Sequence, residues 1–363
     1  MQAPRESAPN GERPGRTRPT MNDVARTAGV SLKTVSRVVN GEQTVNPELA
    51  AQVQSAIAAL NYRHDIGAST LRRSDRRTDM IALLLEDVSN PFSSALHRVI
   101  EDEARARRLQ VLTGSVDEDP ERERELIRTF TMRRADGVII APVSSDHSYL
   151  TAELPPGTPV VFVDRPGQGF AADTVLATNV TGAAEATRHL LAHGHRSIAY
   201  LGDHYHISTA QHRYEGYVAA LTEAGLQADP ALVAHGLHTT ALAETAVMSL
   251  FHRPAPPTAL FSSQNLVTIG AVRALRRLGL HRAVALIGFD DFPLADLLEP
   301  AVTVVAQNPA LMGRTAAAAL FRRLDGHTGE PGTFWIPTDL IRRGSGELPP
   351  SPQLLHGRSD RPL

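Results

Sequence analysis

Five side chains within six positions, Leu32, Lys33, Thr34, Ser36 and Arg37, form a mixture of hydrogen-bond donors with one apolar tip. Such a set suits the base edges and phosphates of a major groove, provided that all five share the opening turns of one helix. The stretch 19–40, PTMNDVARTAGVSLKTVSRVVN, supplies that helix. Thr20 caps a first helix through Asp23, Val24, Ala25 and Ala28, whose apolar members recur at helical spacing. Gly29 ends it and allows a sharp reversal. Ser31 then caps a second helix, and Val35, Val38 and Val39 give it an apolar face to pack on the first. The pattern predicts a helix-turn-helix. Pro47 opens a third helix whose Leu49, Val53, Ala56, Ile57 and Leu60 form an apolar stripe and close a three-helix head.

A second group of candidates follows apolar runs further along. MIALLL (80–85), QVLTG (110–114), GVIIAP (137–142), PVVFVD (159–164), SIAYLG (197–202), TALFSS (258–263), AVALIGFD (283–290) and VTVVAQ (302–307) read as strands separated by amphipathic helices, with a further strand near 231–236. Near-continuous apolar strands of this kind imply parallel sheets covered on both faces, and the theme restarts near residue 178. In open α/β units ligands bind outside the carboxyl ends of strands, so polar residues there are the ones to watch. They are Asn90 and Phe92, Asp164 and Arg165, Arg213, Asn265, Asp290 and Gln307. Asp164, Asn265 and Asp290 can accept from hydroxyls, Arg165 and Arg213 can donate, and Phe92 offers an apolar wall, which suits a sugar or polyol. Plainer roles remain open: Asp164 paired with Arg165, Asp290 capping a loop, and Gln307 in a hinge hydrogen bond.

Composition narrows the class. At 363 residues the chain can bury more than one core, and its net charge of −2 requires nucleic-acid affinity to be local. Across 20–73, Arg26, Lys33, Arg37, Arg63, Arg72 and Arg73 outnumber Asp23, Glu42, Glu48 and Asp65. That modest excess suits a dimer that doubles its phosphate contacts. Cysteine is absent, which excludes disulfides and cysteine-held zinc. No run reaches the length of a membrane span, so a cytoplasmic protein with no membrane partner is expected. The chain has no GxGxxG, P-loop, GxSxG or HExxH signature, so no enzyme and no cofactor are expected. Histidines cluster at His189, His193 and His195 and at His204 and His206, but a metal needs three or four ligands to converge, and none is expected.

The run DVARTAGVSLKTVSRVVNG, followed by Val45, Pro47 and ALNYR (59–63), closely resembles the DNA-binding head of the LacI/GalR family of bacterial repressors, and the resemblance extends to about Gly344. It implies an N-terminal all-α helix-turn-helix head with a hinge helix, followed by a two-lobed α/β periplasmic-binding-protein-like domain with parallel sheets. The expected organisation is a disordered tail (1–19), a DNA-binding domain (20–64), a hinge (65–77), an effector-binding and dimerisation domain (78–346) and a second disordered tail (347–363). Lobe 1 is expected at about 78–177 and 309–331, lobe 2 at about 178–306 and 332–346.

On this reading Leu32, Lys33 and Arg37 contact bases, while Thr20, Ser31, Thr34, Ser36 and Asn40 contact the backbone of a double-stranded, pseudo-palindromic operator. The resemblance also implies that Leu71 is the minor-groove wedge, and that the polar residues named above contact the effector. The hinge departs from the family pattern at His64, Asp65, Gly67 and Ser69, and Leu266 stands where aspartate is common. No leucine-heptad helix follows Gly346, so a homodimer is expected. The implied function is a repressor controlled by a sugar or polyol. The alternatives are a regulator that needs a purine or protein corepressor, and a cytoplasmic sugar-binding protein.

Overall fold

The computed structural model describes residues 19–39, 42, 44–62 and 77–355, in two units divided between Thr78 and Asp79. Asn40, Leu71 with the hinge segment, and the outer parts of both expected tails lie outside the described residues.

In the first unit, α1 (Met21–Ala28), α2 (Leu32–Val39) and α3 (Pro47–Leu60) follow one another closely. Thr20 and Asp23 form a reciprocal capping box at the start of α1. Gly29 ends that helix at φ 65°, a left-handed conformation that a Cβ would strain. Val24, Ala25, Val35, Val53 and Ala56 are the buried core, and Ile57, Leu60 and Tyr62 pack at its edge. Leu49, expected in the apolar stripe, is instead exposed, because the core is filled one turn further along α3.

The second unit holds two six-stranded sheets. In lobe 1, β1 (Met80–Leu85), β2 (Gln110–Ser115), β3 (Gly137–Ile140), β4 (Val160–Val163), β5 (Asp173–Ala177) and β11 (Thr333–Ile336) run parallel in the order β11-β5-β4-β3-β1-β2. The side-chain alternation of a strand explains the unbroken apolar run of β1. Ile81, Leu83 and Leu85 face α4 (Pro91–Ala106) and α11 (Pro309–Leu324), while Ala82 and Leu84 face α5 (Pro120–Met132) and α6 (Leu150–Glu153).

Lobe 2 repeats the plan with β6 (Ile198–Leu201), β7 (Val233–Ala234), β8 (Ala259–Ser262), β9 (Ala285–Phe289), β10 (Thr303–Ala306) and β12 (Asp339–Ile341), ordered β12-β10-β9-β8-β6-β7. Only β12 is antiparallel to its neighbour, here β10. On one face lie α7 (Asn179–Ala192) and α8 (Ser208–Glu223), on the other α9 (Thr240–Leu250) and α10 (Asn265–Arg277). Gly216 lets α8 approach α7 closely, since a Cβ there would collide with the Val180 carbonyl oxygen.

Three differences from the sequence reading have physical causes. No strand is expected at 173–177, yet Asp173–Ala177 is β5; its polar first residues disguise a segment buried between β4 and β11. Residues 332–346 do not all belong to lobe 2, because 333–336 pair with β5 in lobe 1, whereas 339–341 pair with β10 and 343–346 bond to Asp291, Ala301 and Leu286 in lobe 2. The chain therefore passes between the lobes after β5, after β10, and between β11 and β12. Finally, residues 347–355 are not part of a loose tail. Glu347 accepts from His189 or pairs with it at 2.7 Å and accepts from Thr303 at 2.9 Å, the Leu348 carbonyl meets His195, and Pro352–Leu355 is a short helix, α12.

Candidate ligand cleft and nucleic-acid interface

Strand ends from both lobes converge on a cleft with about 650 Å³ of space, part of it open to solvent. Asp164 directly follows β4 and Asp290 directly follows β9, both at φ 67°, so each carboxylate is turned off its strand by a left-handed residue. From α8, Arg213 reaches into the same space and is only 5% exposed. Its Nε donates to Asn179 Oδ1 at 2.8 Å, and its Nη1 to the Ser263 carbonyl at 2.7 Å and to Asp290 Oδ2 at 3.4 Å. The guanidinium also lies 3.9 Å from the centre of the Phe289 ring. Gln307, just past β10, donates to Asp290 Oδ1 at 2.7 Å. The lobe 2 wall is thus a linked network of arginine, aspartate and glutamine.

On the lobe 1 wall, Arg165 spends its Nη1 and Nη2 on Glu118 at 2.9 and 2.5 Å. Asp164 stands 3.7 Å from Arg165 Nε, too far for a good hydrogen bond, so the Asp164–Arg165 pairing is loose. Burial pushes the Asp164 carboxyl above its usual range, against the pull of Arg165. Three buried cleft atoms make no hydrogen bond within the protein: Asp164 Oδ1, Arg165 Nε and Gln307 Oε1. Buried polar atoms are rarely left alone, so the cleft is fitted for a ligand that brings both donors and acceptors. Phe92 and Ala141 supply apolar wall beside them.

Asn90 lines the cleft and Asn265 is buried next to it; their amides exchange hydrogen bonds between the lobes, at 2.9 Å from Asn265 Nδ2 and 3.3 Å from Asn90 Nδ2. Asn90 also caps α4 through the Phe92 backbone N–H. Asn265 is therefore committed to its neighbour rather than open to the cleft.

Behind the lobe 1 wall, Glu123 is fully buried and accepts from the Val143 N–H at 2.7 Å, Ser144 Oγ at 2.6 Å and Tyr149 Oη at 2.7 Å. Burial alone would raise this carboxyl, but those bonds and nearby His147 outweigh it and hold it down at about 2. The pinned residues, Val143 and Ser144, follow Ala141 at the cleft.

Sequence reasoning missed Glu86, Asp203, Thr209, His238 and Gln264, all on the cleft. Glu86 and Asp203 come within two residues of the ends of β1 and β6, so the strand-end rule could have found them. His238 lies two residues past the strand expected near 231–236, and the structure shortens that strand to Val233–Ala234. Burial, with the charge of Glu118, pushes Glu86 up to about 7. His189, His193 and His195 serve the fold: they meet Glu347, the His189 carbonyl, and Thr258 with the Leu348 carbonyl.

In the first unit, Ser31 Oγ accepts from the Thr34 N–H at 3.1 Å and lies 2.9 Å from Thr34 Oγ1, capping α2 as expected. Leu32, at 39%, and Lys33 are exposed on its first turn, while Val35 is buried beneath. Arg37 stands 3.4 Å from Glu42, an exposed pair that a phosphate or base could displace at little cost. Thr20 is occupied in its capping box. Ser36 is partly buried on the same helix.

A family model described as bacterial regulatory proteins, lacI family, matches residues 20–65, and one described as a periplasmic binding protein-like domain matches 187–346. The HTH-type transcriptional regulator GalS of Salmonella typhimurium is 32% identical over 330 residues, covering 90% of this chain and 96% of its own. A solved complex of the transcriptional regulator CelR with cellobiose is 30% identical, with a TM-score of 0.66, covering 91% of this chain and all of that one. The lac repressor dimer bound to operator and the anti-inducer ONPF, at 24% identity, shares the fold with a TM-score of 0.79 over 91% of this chain and 99% of its own. Among the described residues no helix is long and apolar enough to cross a membrane. With the head, the paired lobes and these relatives in agreement, the chain belongs to the lacI family of bacterial regulatory proteins, DNA-binding regulators of transcription rather than enzymes.

Proposed function

We propose that the chain is a cytoplasmic repressor that grips a pseudo-palindromic operator as a homodimer, and that a small sugar or polyol between its lobes sets the strength of that grip. The observation that carries the ligand assignment is the trio of unpartnered cleft atoms, Asp164 Oδ1, Arg165 Nε and Gln307 Oε1, beside the Arg213 network. Hydroxyl groups both donate and accept, so one polyhydroxylated molecule satisfies all three while its apolar ring face meets Phe92. The cellobiose bound by CelR supports the same class. On the head, Leu32, Lys33 and Arg37 read bases, and Thr20, Ser31, Thr34, Ser36 and Asn40 position the backbone, with Leu71 as the minor-groove wedge. A ligand that prefers one lobe geometry shifts that equilibrium, and operator affinity follows.

The test begins with duplexes selected from a random library by the full-length protein. Arg37→Ala is expected to relax discrimination between selected and random duplexes by about 1–3 kcal/mol, whereas Thr34→Ala weakens both alike. Equal losses on both duplexes for Arg37→Ala would remove it from base reading. Thermal melts against monosaccharides, disaccharides, polyols, sugar phosphates and nucleobases then test the cleft. A ligand at a hundred times its dissociation constant adds about 2.7 kcal/mol. A sugar or polyol that raises the midpoint and changes operator affinity is the expected result; a nucleobase as the sole hit would overturn the ligand class.

A further inference from the structure

At the lobe 2 rim of the cleft, Asp203 leaves the end of β6, His204 follows it, and His238 arrives from the loop after β7. One ligand-capable atom from each lies within 4.8 Å of the others, the only such grouping of His, Cys, Asp or Glu among the described residues. His238 Nδ1 stands 3.0 Å from Asp203 Oδ1, and the His204 ring stacks on the His238 ring with 5.4 Å between centres. Asp203 is itself oriented: Oδ1 accepts from the His204 N–H at 2.7 Å and Oδ2 from Gln264 Nε2 at 3.1 Å. On the far side of the imidazole, Glu86 of lobe 1 lies 3.6 Å from His238 Nε2.

We propose that Asp203, His204 and His238 bind a divalent transition metal of the zinc class, with Glu86 orienting His238 from the opposite lobe. The donor set is two imidazoles and a carboxylate, which suits zinc or its neighbours rather than the all-oxygen shells of magnesium and calcium. Three protein ligands leave one tetrahedral position open, as in sites that bind water or a substrate atom rather than purely structural ones. To coordinate, His238 releases to solvent the Nδ1 proton now donated to Asp203 and keeps one on Nε2, facing Glu86. A carboxylate behind a ligating histidine fixes its tautomer and ring orientation. Because the three ligands sit on lobe 2 and the orienting carboxylate on lobe 1, metal occupancy favours the approach of the two lobes. His206 stacks on the outer face of His204, 5.4 Å away, but is not in the trio, so it serves as a control.

The test uses tag-free, full-length protein titrated with zinc chloride in a calorimeter, without DNA or sugar, so that its failure is separate from failure of the effector reading. One saturable site per chain is expected. His204→Ala and His238→Ala each abolish it, His206→Ala and His189→Ala leave it, and Glu86→Gln weakens it by about 10–100-fold without changing the stoichiometry. Absence of saturable binding, or binding that survives both His204→Ala and His238→Ala, overturns the site. Cobalt(II) absorption of the unmutated protein guards against misfolded variants: intense bands of a four-coordinate ion support the trio, and the weak spectrum of a hydrated ion counts against it.

Discussion

The two walls of the cleft use similar residues and hold them by opposite means. On lobe 2, Arg213 and Asp290 are fixed by partners within the wall itself: Asn179, Ser263, Phe289 and Gln307. On lobe 1, both charged residues, Asp164 and Arg165, keep an atom without a hydrogen bond, where lobe 2 leaves such an atom on Gln307 but none on its charged pair, and the wall is fixed from behind by Glu123. The first arrangement keeps its polar groups in place before a ligand arrives, so little ordering cost falls on binding. The second leaves capacity unfilled, which a ligand completes. Stability and ligand affinity are therefore expected to be coupled on lobe 2 and separable on lobe 1.

Arg213→Ala tests the coupled side and carries the largest effect. It leaves Asp290 buried without its cation and Asn179 without a donor, and removing one partner of a buried pair costs about 3–5 kcal/mol. Chemical denaturation reads that loss, and calorimetry with the effector is expected to show no binding. Arg213→Lys keeps the charge without the fork and is expected to fall between. Normal effector affinity in either variant would break the comparison.

Glu123 tests the support behind lobe 1. Its folded carboxyl lies near 2, below the ordinary 4.5, so its contribution is fully present above about pH 4.5 and is lost as pH falls toward 2. The shift corresponds to roughly 3 kcal/mol. Urea midpoints measured from pH 7 to pH 3 are expected to fall more steeply in the unmutated protein than in Glu123→Gln. Parallel curves would assign the acid sensitivity to other carboxylates.

Asp164→Asn separates the two properties. The carboxylate is desolvated and only loosely paired, so losing its charge is expected to leave the melting midpoint unchanged or slightly raised. A ligand hydroxyl bound by a charged acceptor contributes about 1.5–3 kcal/mol, so effector affinity is expected to fall by about tenfold or more. A variant equally destabilised and equally weakened would show that lobe 1 is coupled after all.

The sequence carries the head almost completely, because capping, turn and apolar face each leave a local signature, as Thr20, Gly29 and Val35 do. In the body, strands buried on both faces are legible as apolar runs, whereas β5 and the split of 333–341 between the lobes depend on partners distant in sequence. The cleft follows the same division. Asp164, Arg213, Asp290 and Gln307 follow from strand ends or the family pattern and do line it. His238 stands four residues past the two-residue β7, and the commitment of Asn265 to Asn90 arises only when the lobes meet. Residue type marked Arg165 as a donor to ligand, while Glu118, which takes most of its guanidinium, is far away in sequence.

The smallest expected effect probes that meeting of the lobes. Asn265→Ala removes the amide exchange with Asn90 but leaves the Asn90 cap on α4, so lobe 1 itself is not disturbed. Of the two bonds exchanged, the one at 3.3 Å is long and part of the loss is made good by water, so the net cost is that of about one hydrogen bond, about 0.5–1.5 kcal/mol. Since the bond spans the lobes and touches neither wall's network, its loss acts on their approach rather than on either surface. Effector affinity is expected to fall by less than about tenfold, that energy expressed as an equilibrium constant, and small-angle scattering without ligand is expected to show a more open body. Saturating effector would then restore the closed dimensions. A variant as closed as the unmutated protein, with effector affinity unaltered, would mean that the Asn90–Asn265 exchange does not hold the lobes together.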